Sequence, residues 1–312
     1  MTLFDSVLAL LIAILAWRSV TAPDLYRGIV LFITLGLMLA LSWARLDAPD
    51  LALAEAAIGA GLLGILLLST WRVLQRAAPR QGSDEPASYA VRWLAVVGST
   101  VFGGTVAVAL YGLQVGSDRA GAEALASLDL AGIDQPVTAV LLNFRSYDTL
   151  LEMGVLLMAL IGALLIRSPL AYEPWHGDTA VESPLMSVLA KVFTPIVVLV
   201  GIFLVWAGAY GPGGAFQGGA VLAGAGVLLL LCRRLYGDAD ATLLLRGLLV
   251  LGVTAFIVIG LLLMPWQGAF LAYPPGLVYV LLVVIEFSLA VSIALSLLLL
   301  FTGTHAVRAV RS

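Results

Sequence analysis

Glu55, Glu152 and Glu286 stand inside long apolar runs of this chain, where an ionisable group is costly; from the middle of such a run, as at Glu286, a short carboxylate cannot snorkel to water. Glu286 is the sharpest case. It lies ten residues into the run 277–302, with Leu282, Val283, Leu289 and Ala290 as its helical neighbours. A carboxylate there is protonated, paired or beside a water path, and the chemistry it offers is the relay of protons or cations. Glu55 lies just over one turn into the run 51–74, after Asp50. Ala52, Ala56, Ala60 and Gly64 on the same stretch form a small-residue ridge that permits close helix contact. Glu55 reads either as a carboxylate reaching the outer interface or as a buried relay. Glu152 follows Asp148 by one turn on the same face, and Arg145 precedes both within ion-pairing reach. A helix-end charge network and a relay are both open for Glu152, while Asp148 reads as an interfacial helix cap. Lys191 is the single lysine, one turn into the run 187–209 with Pro195 at i+4. It either snorkels to the inner interface or acts as a buried base partnering a carboxylate of another helix or subunit.

A second feature is the break AYGPGGAFQGG, residues 209–219. Pro212, Gly213 and Gly214 forbid a regular helix across 211–214, and Gly218 and Gly219 open the following span with positions suited to close packing. Such a break feeding a helix N-terminus receives an anion or coordinates an ion through backbone groups; the plainer alternative is a tight turn between packed helices. No Lys-Ser/Thr follows, so a phosphate loop is excluded. Gly103-Gly104 reads as a close-packing site or a hinge.

The elements that must hold these groups are membrane helices. Of the 312 residues, 62% are hydrophobic and 11% charged, and the mean hydropathy is +1.07, a balance that requires lipid as solvent. The fold class expected is an all-α integral membrane protein of about nine transmembrane helices, at roughly 3–20, 27–44, 51–74, 91–113, 149–168, 187–209, 215–236, 243–264 and 277–302. With the N-terminus outside and the C-terminus inside, only Arg45, Arg119 and Arg145 of the 16 basic residues fall on the outer side. The first run lacks a basic leader and a small-residue cleavage site, so it reads as a span.

Polar, Pro-containing inner linkers divide the chain into a three-helix segment (1–76), a linker (77–90), a two-helix segment (91–168), a second linker (169–186) and a four-helix domain (187–312). Within the outer connection 114–148, Val137, Val140, Leu141, Phe144 and Tyr147 share a helical face, which predicts a short amphipathic helix lying on the outer surface. The net charge of −3, with no basic stripe, gives no sign of a nucleic-acid partner. One cysteine, Cys232, and two histidines, His176 and His305, leave no basis for a metal site or a redox centre, so no cofactor and no catalytic site are expected.

These motifs resemble Mrp-type multisubunit cation/proton antiporters. GPGGAFQGG with its apolar helix and YPPGLVY (273–279) are similar to the MnhB/MrpB subunit. APDLALAEAAIGAGL (48–62) and NFRSYDTLLEMGVL (143–156) resemble two successive motifs at the C-terminal end of the large Mrp A subunit, whose equivalents in membrane-bound hydrogenases and related sulfur-reducing complexes are separate small subunits. The resemblance matches Asp50 and Glu55 to the first motif, Arg145, Asp148 and Glu152 to the second, and Pro212, Gly213, Gly214, Phe216, Gln217 and Gly219 to the third. Departures are Ala215 for the third glycine, Ala54 for a threonine, and Gly208-Ala209-Tyr210 where the family carries Gly-His. The resemblance implies a multi-pass subunit of the cell inner membrane, surrounded by lipid and by other membrane subunits, moving protons or sodium ions. Its alternative is a non-catalytic membrane-arm subunit of an ion-pumping redox complex of the hydrogenase or complex I type.

Overall fold

In the computed structural model the described residues are 2–77, 89–112, 119–166, 184–232, 234–238, 242–302 and 306–309. Most of both expected linkers, together with His176, His305, Arg80, Arg167, Arg233 and Arg311, lies outside them. The chain begins with α1 (Leu3–Val20) and α2 (Leu25–Arg45), antiparallel neighbours joined by a short turn. Thr2 caps α1 through a reciprocal capping box with Asp5, and Asp24 caps α2 by accepting from Arg27 N–H at 2.9 Å. The third span is α3 (Pro49–Ala54), a π-helical stretch Glu55–Leu62 and α4 (Leu63–Ala77) in continuous succession. Its small-residue ridge packs on α2. A Cβ added to Gly36 would meet Ala60 Cβ at 3.2 Å, and one on Gly64 would lie 2.7 Å from Ile33.

Next come α5 (Tyr89–Gly112), the short α6 (Arg119–Ala126), α7 (Leu128–Ala131) and α8 (Pro136–Ala139), a second π-helical stretch Val140–Phe144, and α9 (Ser146–Ile166). The last third holds α10 (Pro184–Ala207), α11 (Ala215–Leu231), α12 (Leu243–Gln267) and α13 (Val278–Phe301). Among the described residues, eight helices are long and apolar enough to cross a membrane. The expected seventh span is the exception: α11 starts where expected but ends at Leu231, so its 17 residues span about 25 Å, and the chain beyond Cys232 leaves the helix for an extended segment.

The all-α expectation needs one correction. Residues 235 and 236, expected to continue the seventh span, belong to β1 (Leu235–Asp238), which pairs antiparallel with β2 (Ala306–Ala309), Leu235 opposite Ala309. Both strands follow helices that pack side by side, α11 and α13, so backbone groups leaving the helices satisfy each other.

The core is built around α11 and α13. α11 packs against α10 and α13, α13 also against α12, and α9 leans on α12 and α13. Gly218 and Gly219 make these approaches close: a Cβ on Gly218 would run into Val205 and the Gly201 carbonyl, and one on Gly219 would lie 2.9 Å from Ile293. Phe256, Ile285 and Leu289 are fully buried there, and the Ser292 hydroxyl donates to the Leu249 carbonyl. Phe256→Ala is expected to lower stability by about 3–5 kcal/mol, the usual cost of deleting a buried aromatic ring. The check is the thermal aggregation midpoint of the detergent-solubilised protein, with the exposed Phe102→Ala, expected to be near neutral, as its partner.

α5 differs from every other long helix. Each described side chain from Trp93 to Gly112 is exposed, Trp93, Phe102 and Tyr111 among them.

Candidate functional site

The break between α10 and α11 is where the polar groups converge. α10 ends at Ala207, and Gly213 and Gly214 carry φ of 156° and 118°, values that L side chains rarely adopt. The loop folds back on α10 through Gly214 N–H, which donates to the Leu204 carbonyl at 2.8 Å. α11 then starts at Ala215, and its N-terminal dipole is met by protein carboxylates.

Glu286 is one of these. It is 4% exposed on α13, and its carboxylate lies near the first backbone N–H of α11, at Ala215. Its Oε1 lies against the loop, so a Cβ on Gly208 would come within 3.0 Å of it and one on Gly214 within 3.1 Å. Among the described residues no ion pair includes Glu286. The carboxylate opens on a cavity of about 60 Å³ whose polar lining includes Thr138, Thr149, Gln217 and the Gly213–Gly214 backbone. A water needs about 10–15 Å³ of such space and two to four polar partners, so the cavity has the size and lining to hold water.

Asp50 is the other carboxylate, 6% exposed at the start of α3. Its Oδ1 accepts from Gly213 N–H at 2.9 Å and its Oδ2 from the Gln135 side-chain amide at 2.8 Å. The Gln217 amide donates to the Asp50 carbonyl at 3.2 Å. α3 is thereby tied to the loop of the last four helices.

The 134–144 segment completes the site and departs from its expected role. Val137, Leu141, Phe144 and Tyr147 do face outward, but the opposite face, Thr138, Ala139 and Leu142, is buried in the chain. Asp134 and Gln135 N–H both donate to the Ala209 carbonyl at 3.2 Å, and Thr138 Oγ1 donates to the Gly208 carbonyl at 2.5 Å. The segment is a plug against the glycine break, with a one-residue π insertion where Arg145 N–H reaches the Val140 carbonyl. Thr149 Oγ1 closes the turn into α9 on the Leu141 carbonyl at 2.6 Å.

The remaining candidates stand elsewhere. Glu55 opens the first π-helical stretch, half-buried, and its carboxylate folds back over Gly59, where the absent Cβ leaves room. Arg145 Nη2 pairs with Asp148 Oδ2 at 2.5 Å on the exposed side of α9, and Glu152, one turn on, is exposed. Lys191 is exposed on α10, and among the described residues no ion pair includes it. Asp50 and Glu286 therefore meet at one loop, whereas Glu152 and Lys191 present themselves to whatever surrounds the chain. Gln135, Thr138 and Thr149 were not among the sequence candidates. Their only signal was polarity inside an otherwise apolar stretch, which ordinary helix surfaces share. Beside the site, the Tyr273 hydroxyl is buried without a hydrogen-bond partner, and burial pushes its phenol well above the ordinary range.

Two stretches of the chain match known families. Residues 10–76 match the MbhD family of MBH components, and residues 185–306 match the family described as "Domain related to MnhB subunit of Na+/H+ antiporter". An uncharacterized protein of Methanocaldococcus jannaschii is 32% identical over 108 residues, covering 30% of this chain and 41% of that protein. A chain of the Mrp complex from Dietzia sp. DQ12-45-1b superposes with a TM-score of 0.73 at 18% identity, over 98% of this chain and 35% of its own length. A chain of the membrane-bound sulfane sulfur reductase, an archaeal respiratory membrane complex, is 25% identical over 67% of this chain and 97% of its own, with a TM-score of 0.49. The chain thus spans well under half of the curated relative and about a third of the Mrp chain it matches.

Proposed function

We propose that this chain is a membrane subunit of a multisubunit Mrp-type cation/proton antiporter complex, translocating protons, sodium ions or both, because it joins an MbhD-family segment to an MnhB-related domain in one polypeptide. The observation that carries this reading is Glu286, buried behind the glycine break and facing a polar cavity. Withdrawing a carboxylate from water costs several kcal/mol, while even a charge-assisted hydrogen bond returns only about 1.5–3. The remainder is met by a proton or a cation held at the site, and a group that must bind one to exist there is equipped to pass one on.

In this reading Glu286 is the central relay, and Glu55 and Glu152 serve the same path near the outer side of their helices. Arg145 and Asp148 are the ion pair that sets the outer end of α9. Lys191, exposed on α10, is the base available to a carboxylate of a neighbouring subunit. The N-terminus lies outside and the C-terminus inside, following the distribution of arginines, and the membrane is the inner cell membrane. Residues 1–76, 91–168 and 187–312 act as successive modules joined by inner linkers. Other membrane subunits cover much of the exposed surface, α5 and the Glu152 face of α9 first.

The experiment is affinity purification of the chain from its native membranes, followed by reconstitution of what copurifies and measurement of sodium uptake against an imposed pH gradient. Antiporter-like membrane subunits in the preparation and sodium–proton exchange in the vesicles are expected. A chain that purifies alone, or vesicles in which neither ion moves, would overturn the reading. The match to the MbhD family favours a second reading, a non-catalytic membrane arm of a redox-driven pump. Stoichiometric iron in the purified complex, with ion movement that requires an electron donor, would select it.

A further inference from the structure

Asp50 is the candidate acid whose carboxylate oxygens the chain itself engages most completely. Gly213 N–H holds one and the Gln135 amide the other, and the Gln217 amide secures the residue's carbonyl. Two residues beyond Gly213, Ala215 N–H faces Glu286 across the wall of the cavity that both residues line. One run of three residues therefore has a buried carboxylate at each end, and the residue between them, Gly214, lies against Glu286 Oε1. The peptides linking Gly213 to Ala215 are planar and of fixed length, so a shift at Gly213 is carried to the Ala215 N–H and to the cavity wall. Gln217 adds a second link, since it both donates to the Asp50 carbonyl and lines the cavity.

We infer that Asp50 is a positioning residue for the Glu286 site: its carboxylate latches the Gly213–Ala215 backbone in place and carries no ion of its own. The inference rests on the reading of Glu286 as the relay and gives Asp50 a part in it. A member of an ion path must release its ligands to take up the ion, whereas both oxygens of Asp50 are already engaged by N–H donors of the protein. The latch also gives the two family segments a mechanical connection. α3 runs directly into the Glu55–Leu62 π-helical stretch, so a displacement of that helix reaches the relay carboxylate through a single side chain.

The test compares Asp50→Asn, Asp50→Ala and Glu286→Gln in the whole reconstituted complex. Asparagine keeps an oxygen for Gly213 N–H, and a half-turn of the Gln135 amide lets its oxygen accept from the new amide. Asp50→Asn is expected to transport within about two-fold of the unaltered complex. Asp50→Ala releases the loop and is expected to slow transport about 10- to 100-fold, the scale of a misplacement near 1 Å. The second readout is the rate at which a hydrophobic carbodiimide labels Glu286, followed by mass spectrometry. It is expected to be unchanged in Asp50→Asn and altered several-fold in Asp50→Ala. Should Asp50→Ala fail to assemble, Gln135→Ala takes its place, with slower transport expected and unaltered transport counting against the latch. Loss of transport in Asp50→Asn at normal assembly would overturn the inference, because the charge itself would then be used. Unaltered transport and labelling in Asp50→Ala would overturn it too. Normal transport in Glu286→Gln would instead sink the relay reading, and the labelling comparison would still decide the latch.

Discussion

Complexes carrying Glu286→Gln are expected to assemble at normal levels and to lose coupled ion exchange, falling to the background of empty vesicles. Glutamine has the same shape and keeps an oxygen toward Ala215 N–H, so the polar neighbour of the α11 N-terminus survives while the ionisable group that the proposed relay needs is gone. Among the described residues no ion pair includes Glu286, so removing its ionisable group relieves a desolvation cost and thermal stability is expected to hold or rise. That divergence, stability kept and transport lost, is the signature of a relay. A structural ion holder would show the reverse. Glu286→Asp withdraws the carboxylate by one methylene from both Ala215 N–H and the cavity, and an intermediate rate is expected. The measurement is pH-gradient-driven sodium uptake beside the size-exclusion profile of each complex; full exchange in Glu286→Gln would remove Glu286 from the path.

The second large effect is expected at the glycine break. Gly214 has φ 118° and ψ −173°, a region essentially reserved for glycine, and its Cβ position lies 3.1 Å from Glu286 Oε1. Gly214→Ala is expected to cost about 1–3 kcal/mol in backbone strain alone, and to displace the relay carboxylate as well. Gly208→Ala acts without strain in φ: its Cβ would stand 2.7 Å from Gly214 Cα, a backbone atom that cannot rotate away, so the loop must move as a body. Both variants are expected to lower the thermal midpoint and abolish transport. Gly211→Ala, in the same loop with open space around its Cβ position, is expected to do neither. Equal behaviour of all three would show that the loop is a spacer and not a fitted wall.

Much of the chain was legible because membrane spans advertise themselves. An apolar run long enough to cross lipid is a local property, and so is the excess of arginines at one set of run ends. The eight long helices and the small-residue ridge of the third span follow from residues within one element. The short strand after α11 was not legible, because Leu235 and Tyr236 are as apolar as the helix before them and pair only with a segment near the chain's other end.

The site divided in the same way. That Glu286 stands deep in a long apolar run, and that Pro212, Gly213 and Gly214 stop a helix, are consequences of side-chain chemistry in sequence order, and both were determined by the sequence alone. That the stopped helix offers its first N–H to Glu286 is a fact about two elements 71 residues apart, as the numbers of Ala215 and Glu286 show. Asp50 reaching Gly213, and Thr138 reaching Gly208, span 163 and 70 residues. No periodicity encodes such pairs; they exist because close packing of glycine-bearing helices leaves buried N–H and carbonyl groups that must find partners, and the tertiary structure decided which ones they found.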